Sequence, residues 1–140
     1  MKRDRHKLLR AMTLPTVVEY LEVKKLVKEA KSESKADNWS MAETLYQKAA
    51  KLQPNRKDVV DGYVLSGKIN TLSRKLSYHL QAPYRLSSVN VAEIARILVA
   101  EATTVSAKSR LLADQTTKLL ELLKAYSTKV SVKVISDGVT

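Results

Sequence analysis

The chain of 140 residues has no cysteine and no phenylalanine, one tryptophan, two histidines, three glycines and three prolines. Each shortage excludes something. Without cysteine there are no disulfides, thiolate metal sites or cysteine nucleophiles, and a reducing compartment such as the cytoplasm is the expected setting. With so few glycines and prolines a turn-rich β fold is poorly served. A core without phenylalanine must be built from Leu, Val, Ile and Ala, which suits helices packed side by side. Apolar runs are only a few residues long, so no membrane span is expected, and the charged N-terminus lacks the apolar stretch of a signal peptide.

Positive charge is abundant. Lys and Arg number 25 against 14 Asp and Glu, a net charge of +11. The excess is local: Lys2, Arg3, Arg5, Lys7 and Arg10 form a basic leader, and Arg56, Lys57, Lys68, Arg74 and Lys75 form a second basic region. Localised positive charge is the footprint of a polyanionic partner. Duplex DNA is the expected one, bound by all ten of these side chains.

The apolar spacing predicts five helices. Pro15 suits a first helical turn, and Val17, Val18, Leu21, Val23, Leu26, Val27 and Ala30 follow at helical intervals, with Lys and Glu interleaved on the other face. Asp37 and Asn38 end this helix and cap a second one, which carries Ala42, Leu45, Tyr46 and Ala49 and stops at Gln53-Pro54-Asn55. A third helix follows to about Leu80, with a break expected near Gly67. Residues 81–88 read as a loop dividing a region at 14–80 from one at 89–140. Asn90 and Glu93 suggest a capping box for helix four, and a leucine-rich helix five follows a polar break at Thr103–Ser106. From Lys129 to Ile135 the period changes to two, which predicts a strand. The expected fold is therefore all-α with a short C-terminal β-strand.

Helix five carries leucines on more than one face, and a lone strand has no partner within the chain. Both favour a homo-oligomer, with Leu112, Leu119, Leu123, Val130, Val132 and Val134 at the interface. Catalysis is not expected. His6 and His79 stand apart, and there is no phosphate-binding loop, nucleophile elbow, paired-histidine metal motif or calcium loop. Asp58 and Asp61 fit a solvated helix start. No cofactor, metal or small-molecule substrate is expected.

Three resemblances follow from particular residues. Trp39, Ala42, Tyr46, Ala49 and Pro54 stand in the register of a tetratricopeptide unit's second helix, so residues 22–54 resemble one such hairpin, which implies a protein–protein adaptor. Ala50-Lys51-Leu52, a short turn, Val60, Tyr63-Val64 and Gly67-Lys68-Ile69 are similar to the spacing of a helix-turn-helix. In that reading Ala50 permits close crossing, Val60 anchors the recognition helix, and Arg56 and Lys57 sit at its start. Residues 37–69 are open to both readings. Ala92-Glu93-Ile94 to Ala102, Ser106 to Arg110, Leu119 to Tyr126 and Lys129-Val130-Ser131-Val132 resemble the end of phage terminase small subunits. That resemblance implies ring assembly, recognition of viral DNA and a separate large motor subunit. A structural protein of a virus particle or ribonucleoprotein shares the same basic, helical profile.

Overall fold

The structure, a computed structural model, describes residues 17–127. Five α-helices and two short 3₁₀ turns follow in order: α1 (Lys2–Lys35), α2 (Trp39–Leu52), α3 (Lys57–Gln81), a 3₁₀ turn (Pro83–Ser87), α4 (Val89–Thr103), a second 3₁₀ turn (Ser106–Lys108) and α5 (Arg110–Val139). The outer ends of α1 and α5 fall outside the described residues. With them go the basic leader and the strand expected at Lys129–Ile135. Among the described residues the fold is all-α, and no strand occurs. The chain divides into two compact units, Met1–Gly67 and Lys68–Thr140. The boundary falls inside α3, and the segment at 81–88 lies within the second unit. The helix itself runs unbroken through Gly67, so the expected break is absent.

The first unit is a helical hairpin closed by the start of α3. Its core takes Val23, Leu26, Val27 and Ala30 from α1, and Trp39, Ala42, Leu45, Tyr46 and Ala49 from α2. Ala30, Ala42 and Ala49 have no exposed surface, and alanine at these crossings lets two helix backbones approach closely. The turn between the helices is built by polar chemistry. Asp37 adopts a left-handed backbone (φ 62°), a conformation that Asp tolerates better than most residues, and its carboxylate accepts a hydrogen bond from the Trp39 indole N–H at 2.8 Å. Asn38 is the N-cap of α2, its side-chain oxygen accepting from the Met41 N–H.

The start of α3 corrects the helix-turn-helix register by one residue. Val59 is fully buried, while Val60 is 37% exposed. On α2, Ala49 is the buried crossing residue and Ala50 is half-buried. Val59, not Val60, is therefore the fully buried valine of this turn, and Ala49, not Ala50, is the close-contact alanine.

The second unit packs Ile69, Leu72 and Leu76 of α3 with Leu86 of the 3₁₀ turn, Ala92, Ala95, Leu98, Val99 and Ala102 of α4, and Leu112, Leu119 and Leu123 of α5. Ser73 and Gln115 bind each other across it: the Ser73 hydroxyl donates to the Gln115 Oε1 at 2.8 Å, and the Gln115 amide donates to the Ser73 carbonyl at 3.4 Å. Ser109 caps α5, its hydroxyl accepting from the Leu112 N–H at 3.1 Å. The cap of α4 also differs from expectation. Ser88 holds the N-cap position, without a side-chain cap bond, and Asn90 lies inside the helix.

Candidate nucleic-acid interface

The ten cations expected to meet DNA fall into three groups. Lys2, Arg3, Arg5, Lys7 and Arg10 lie outside the described residues. Arg56 and Lys57 belong to the first unit, and Lys68, Arg74 and Lys75 to the second.

Arg56 is held inside its own unit. Its Nε donates to the Asp58 carboxylate at 2.7 Å, the guanidinium lies 5.6 Å from the Tyr20 ring centroid, and its Nη1 is buried without a hydrogen-bond partner. Burial pushes the Asp58 carboxyl up, but the hydrogen bond and charge of Arg56, with the Val59 N–H, hold it below its ordinary value. A guanidinium anchored in this way braces the α2–α3 turn and is poorly placed to reach a groove. Lys57 beside it is exposed.

The second unit offers a more coherent surface. Between Asp61 and Glu93 the sequence contains no Asp or Glu. In α3, Ile69, Leu72, Leu76 and His79 recur at intervals of three or four residues and turn inward. That leaves Lys68, Arg74 and Lys75 exposed. Lys68 and Lys75, seven residues apart, share one stripe of the helix. None of the three makes an ion pair among the described residues. The 3₁₀ turn adds Arg85, whose guanidinium stacks 4.4 Å from the Tyr78 ring centroid and 6.0 Å from that of Tyr84. Tyr78 and Tyr84 are 54% and 68% exposed. The result is a basic surface interleaved with exposed aromatic rings, and no carboxylate in its sequence segment opposes it.

Arg85, Tyr78 and Tyr84 were not among the expected binding residues. The run without acids is a usable signal in the sequence, but nothing local to the loop expected at 81–88 shows that it returns to α3. Only folding of that segment onto the end of α3 brings Arg85 to Tyr78.

Beside these cations runs a surface groove of about 570 Å³. Arg74, Lys75, Tyr78 and His79 of α3 line one side, and Val91, Ile94, Ile97, Leu98 and Glu101 of α4 the other. His79 is buried, its Nδ1 lacks a hydrogen-bond partner, and its ring meets Tyr78 edge to face at 5.3 Å. Burial and the nearby Arg85 both lower its pKa.

The expected interface residues are placed differently. Leu112 and Leu119 have no exposed surface and Leu123 is 4% exposed, all within the core of their own unit. Among the described residues, the large apolar side chains that α5 leaves exposed are Leu111 and Leu120. Val130, Val132 and Val134 lie outside the described residues. Among the described residues no cluster of three or more His, Asp or Glu could hold a metal ion, and no helix is long and apolar enough to cross a membrane. No protein-family model, curated protein or solved structure matches the chain.

Proposed function

We propose that the chain is a non-catalytic protein that binds duplex DNA through the second unit. One observation carries this reading: the segment from Lys68 to Ala92 presents exposed Lys68, Arg74 and Lys75 and a half-buried Arg85 beside two tyrosine rings, and contains no acid. Cations held on one helix and its following turn neutralise phosphates and release counterions, a contribution that is independent of base sequence. The order of helices in the last third of the chain supports a finer version, a terminase-small-subunit-like protein that passes bound DNA to a separate motor.

The test is a titration of duplex DNA over a range of salt, read by fluorescence anisotropy. Four phosphate contacts give a log–log slope of about −3.5, and a steeper one if the N-terminal cations engage. Lys68→Glu with Lys75→Glu should weaken binding to every sequence alike and reduce the slope by about two. An affinity indifferent to salt rules the reading out.

A second reading, a protein–protein adaptor on a tetratricopeptide-like hairpin, is supported by the first unit. Ala42, Tyr46 and Ala49 all turn into its core, as that register requires. The same salt titration separates the two readings, since the adaptor shows no DNA binding to titrate.

A further inference from the structure

The groove between α3 and α4 is apolar along its floor and charged with opposite signs on its two walls. Arg74 and Lys75 stand on the α3 wall, and Glu101 stands on the α4 wall. Ile94 and Ile97 are 59% and 60% exposed there, although their neighbours Ala95 and Leu98 are buried. On α4, Ile94, Ile97 and Glu101 occupy positions i, i+3 and i+7, which is one face of a helix. This face is not needed by the core of its own unit.

An occupant that fits must be a helix with a ridge of branched apolar side chains and carboxylates along its edge. The apolar ridge covers the isoleucines, and the carboxylates meet the unpaired cations of the α3 wall. The outer face of α4 itself has this composition: Ile94 and Ile97 form the ridge, and Glu93 and Glu101 flank it. Glu93 is lightly engaged, 3.3 Å from exposed Arg96, and Glu101 has no ion pair among the described residues. The helix that the groove can receive is therefore a helix that every copy presents.

We propose that the α3–α4 groove is a self-association site, in which α4 of a second copy seats Ile94 and Ile97 along the groove and brings its carboxylates to Arg74 and Lys75. A two-fold axis satisfies both copies at once, because α4 of each lies against the α3 wall of the other, as an isologous interface requires. Self-association then rests on α4 and the end of α3, and not on the leucines of α5. The contact shares Arg74 and Lys75 with the surface proposed to bind DNA and leaves Lys68 and Arg85 outside it; assembly is therefore measured on protein free of DNA, where its outcome does not depend on whether DNA binds.

The experiment is light scattering and sedimentation of the full chain at tens of micromolar. Wild type is expected to be a dimer. Ile94→Glu with Ile97→Glu should yield a monomer with unchanged helical circular dichroism, since both side chains are already exposed. Glu101→Lys alone should weaken the dimer, and adding Arg74→Glu and Lys75→Glu should restore it. That restoration reports charge pairing across an interface, which a purely structural role of these residues does not give. A wild-type monomer, including one that instead captures an acidic amphipathic peptide, overturns the proposal. So does a dimer that survives the two isoleucine substitutions, because the contact then lies elsewhere.

Discussion

The ring of Tyr46 lies against the backbone of Gly62, so close that a β-carbon at position 62 would occupy the space of the ring. Helix propensity alone argues for alanine there, by about 1 kcal/mol. The contact argues the other way. Tyr46 is only 6% exposed, so its ring has little room to withdraw, and forcing atoms into a packed core costs about 1–3 kcal/mol. Gly62→Ala is expected to lower the stability of the first unit. Gly67 provides the contrast. A β-carbon there meets only the Glu43 carboxylate, with Oε2 at 3.1 Å and Cδ at 3.8 Å, the far end of a flexible side chain. Gly67→Ala should therefore stabilise by about 0.5–1 kcal/mol. Urea melts of the two variants should shift in opposite directions. A stabilised Gly62→Ala would show that the Tyr46 ring is free to move.

His79 should make the second unit sensitive to mild acid. Its ring is buried and its Nδ1 has no hydrogen-bond partner. Burial, and then the Arg85 charge, lower its pKa below the ordinary value of 6.5. The folded state thus binds a proton less readily than the unfolded state. Stability is full above about pH 6.5 and declines as the pH falls from there through the folded-state pKa. Denaturation midpoints measured between pH 8 and pH 5, a range chosen to bracket roughly the ordinary histidine value, should fall at the acid end. His79→Leu should flatten the profile. The Asp58 carboxyl does not blur this result, because Arg56 holds it below its ordinary acidic value. An acid-induced loss that persists in His79→Leu would assign the effect to another group.

The parts of this fold visible in the sequence are those with local causes. The inner stretch of the α1 stripe from Val23 to Ala30, the α2 stripe, the Asp37-Asn38 turn and the stop near Pro54 each follow from spacing or backbone chemistry within a few residues, and the structure shows them. Val17, Val18 and Leu21, expected on the same α1 stripe, are instead exposed, because among the described residues no other element of the first unit covers that end of the helix. The parts that were not visible depend on tertiary contacts. Val59 and Val60 are adjacent valines with equal propensity, and only the angle at which α3 meets α2 decides which is buried. Gly67 weakens a helix by about 1 kcal/mol, too little to break one as long as α3. In the candidate site, Lys68, Arg74 and Lys75 were legible because exposed cations recur along one helix. The groove was not. Hydrophobicity does not distinguish Ile94 and Ile97 from core residues, and nothing local shows that α4 turns Ala95 and Leu98 inward instead. Arg56 shows the same limit for charge, since its count as a free cation hides its bond to Asp58.

The leucines of α5 give the sharpest contrast between adjacent residues. Leu119 has no exposed surface, and Leu120 is 41% exposed. A carboxylate introduced at a buried site without a partner costs several kcal/mol, about what a small helical unit has to lose. Leu119→Glu is therefore expected to remove the helical circular dichroism of the second unit, and any change in assembly should follow from that unfolding. Leu120→Glu should keep the native signal and midpoint, because its side chain already meets solvent. Circular dichroism and light scattering on the same samples separate the two roles. A Leu119→Glu variant that kept its full helical signal while changing its mass would move Leu119 out of the core and back to an interface between subunits. The burial of Leu112 and Leu123 on the same face of α5 argues for the first outcome, since all three leucines pack inward together.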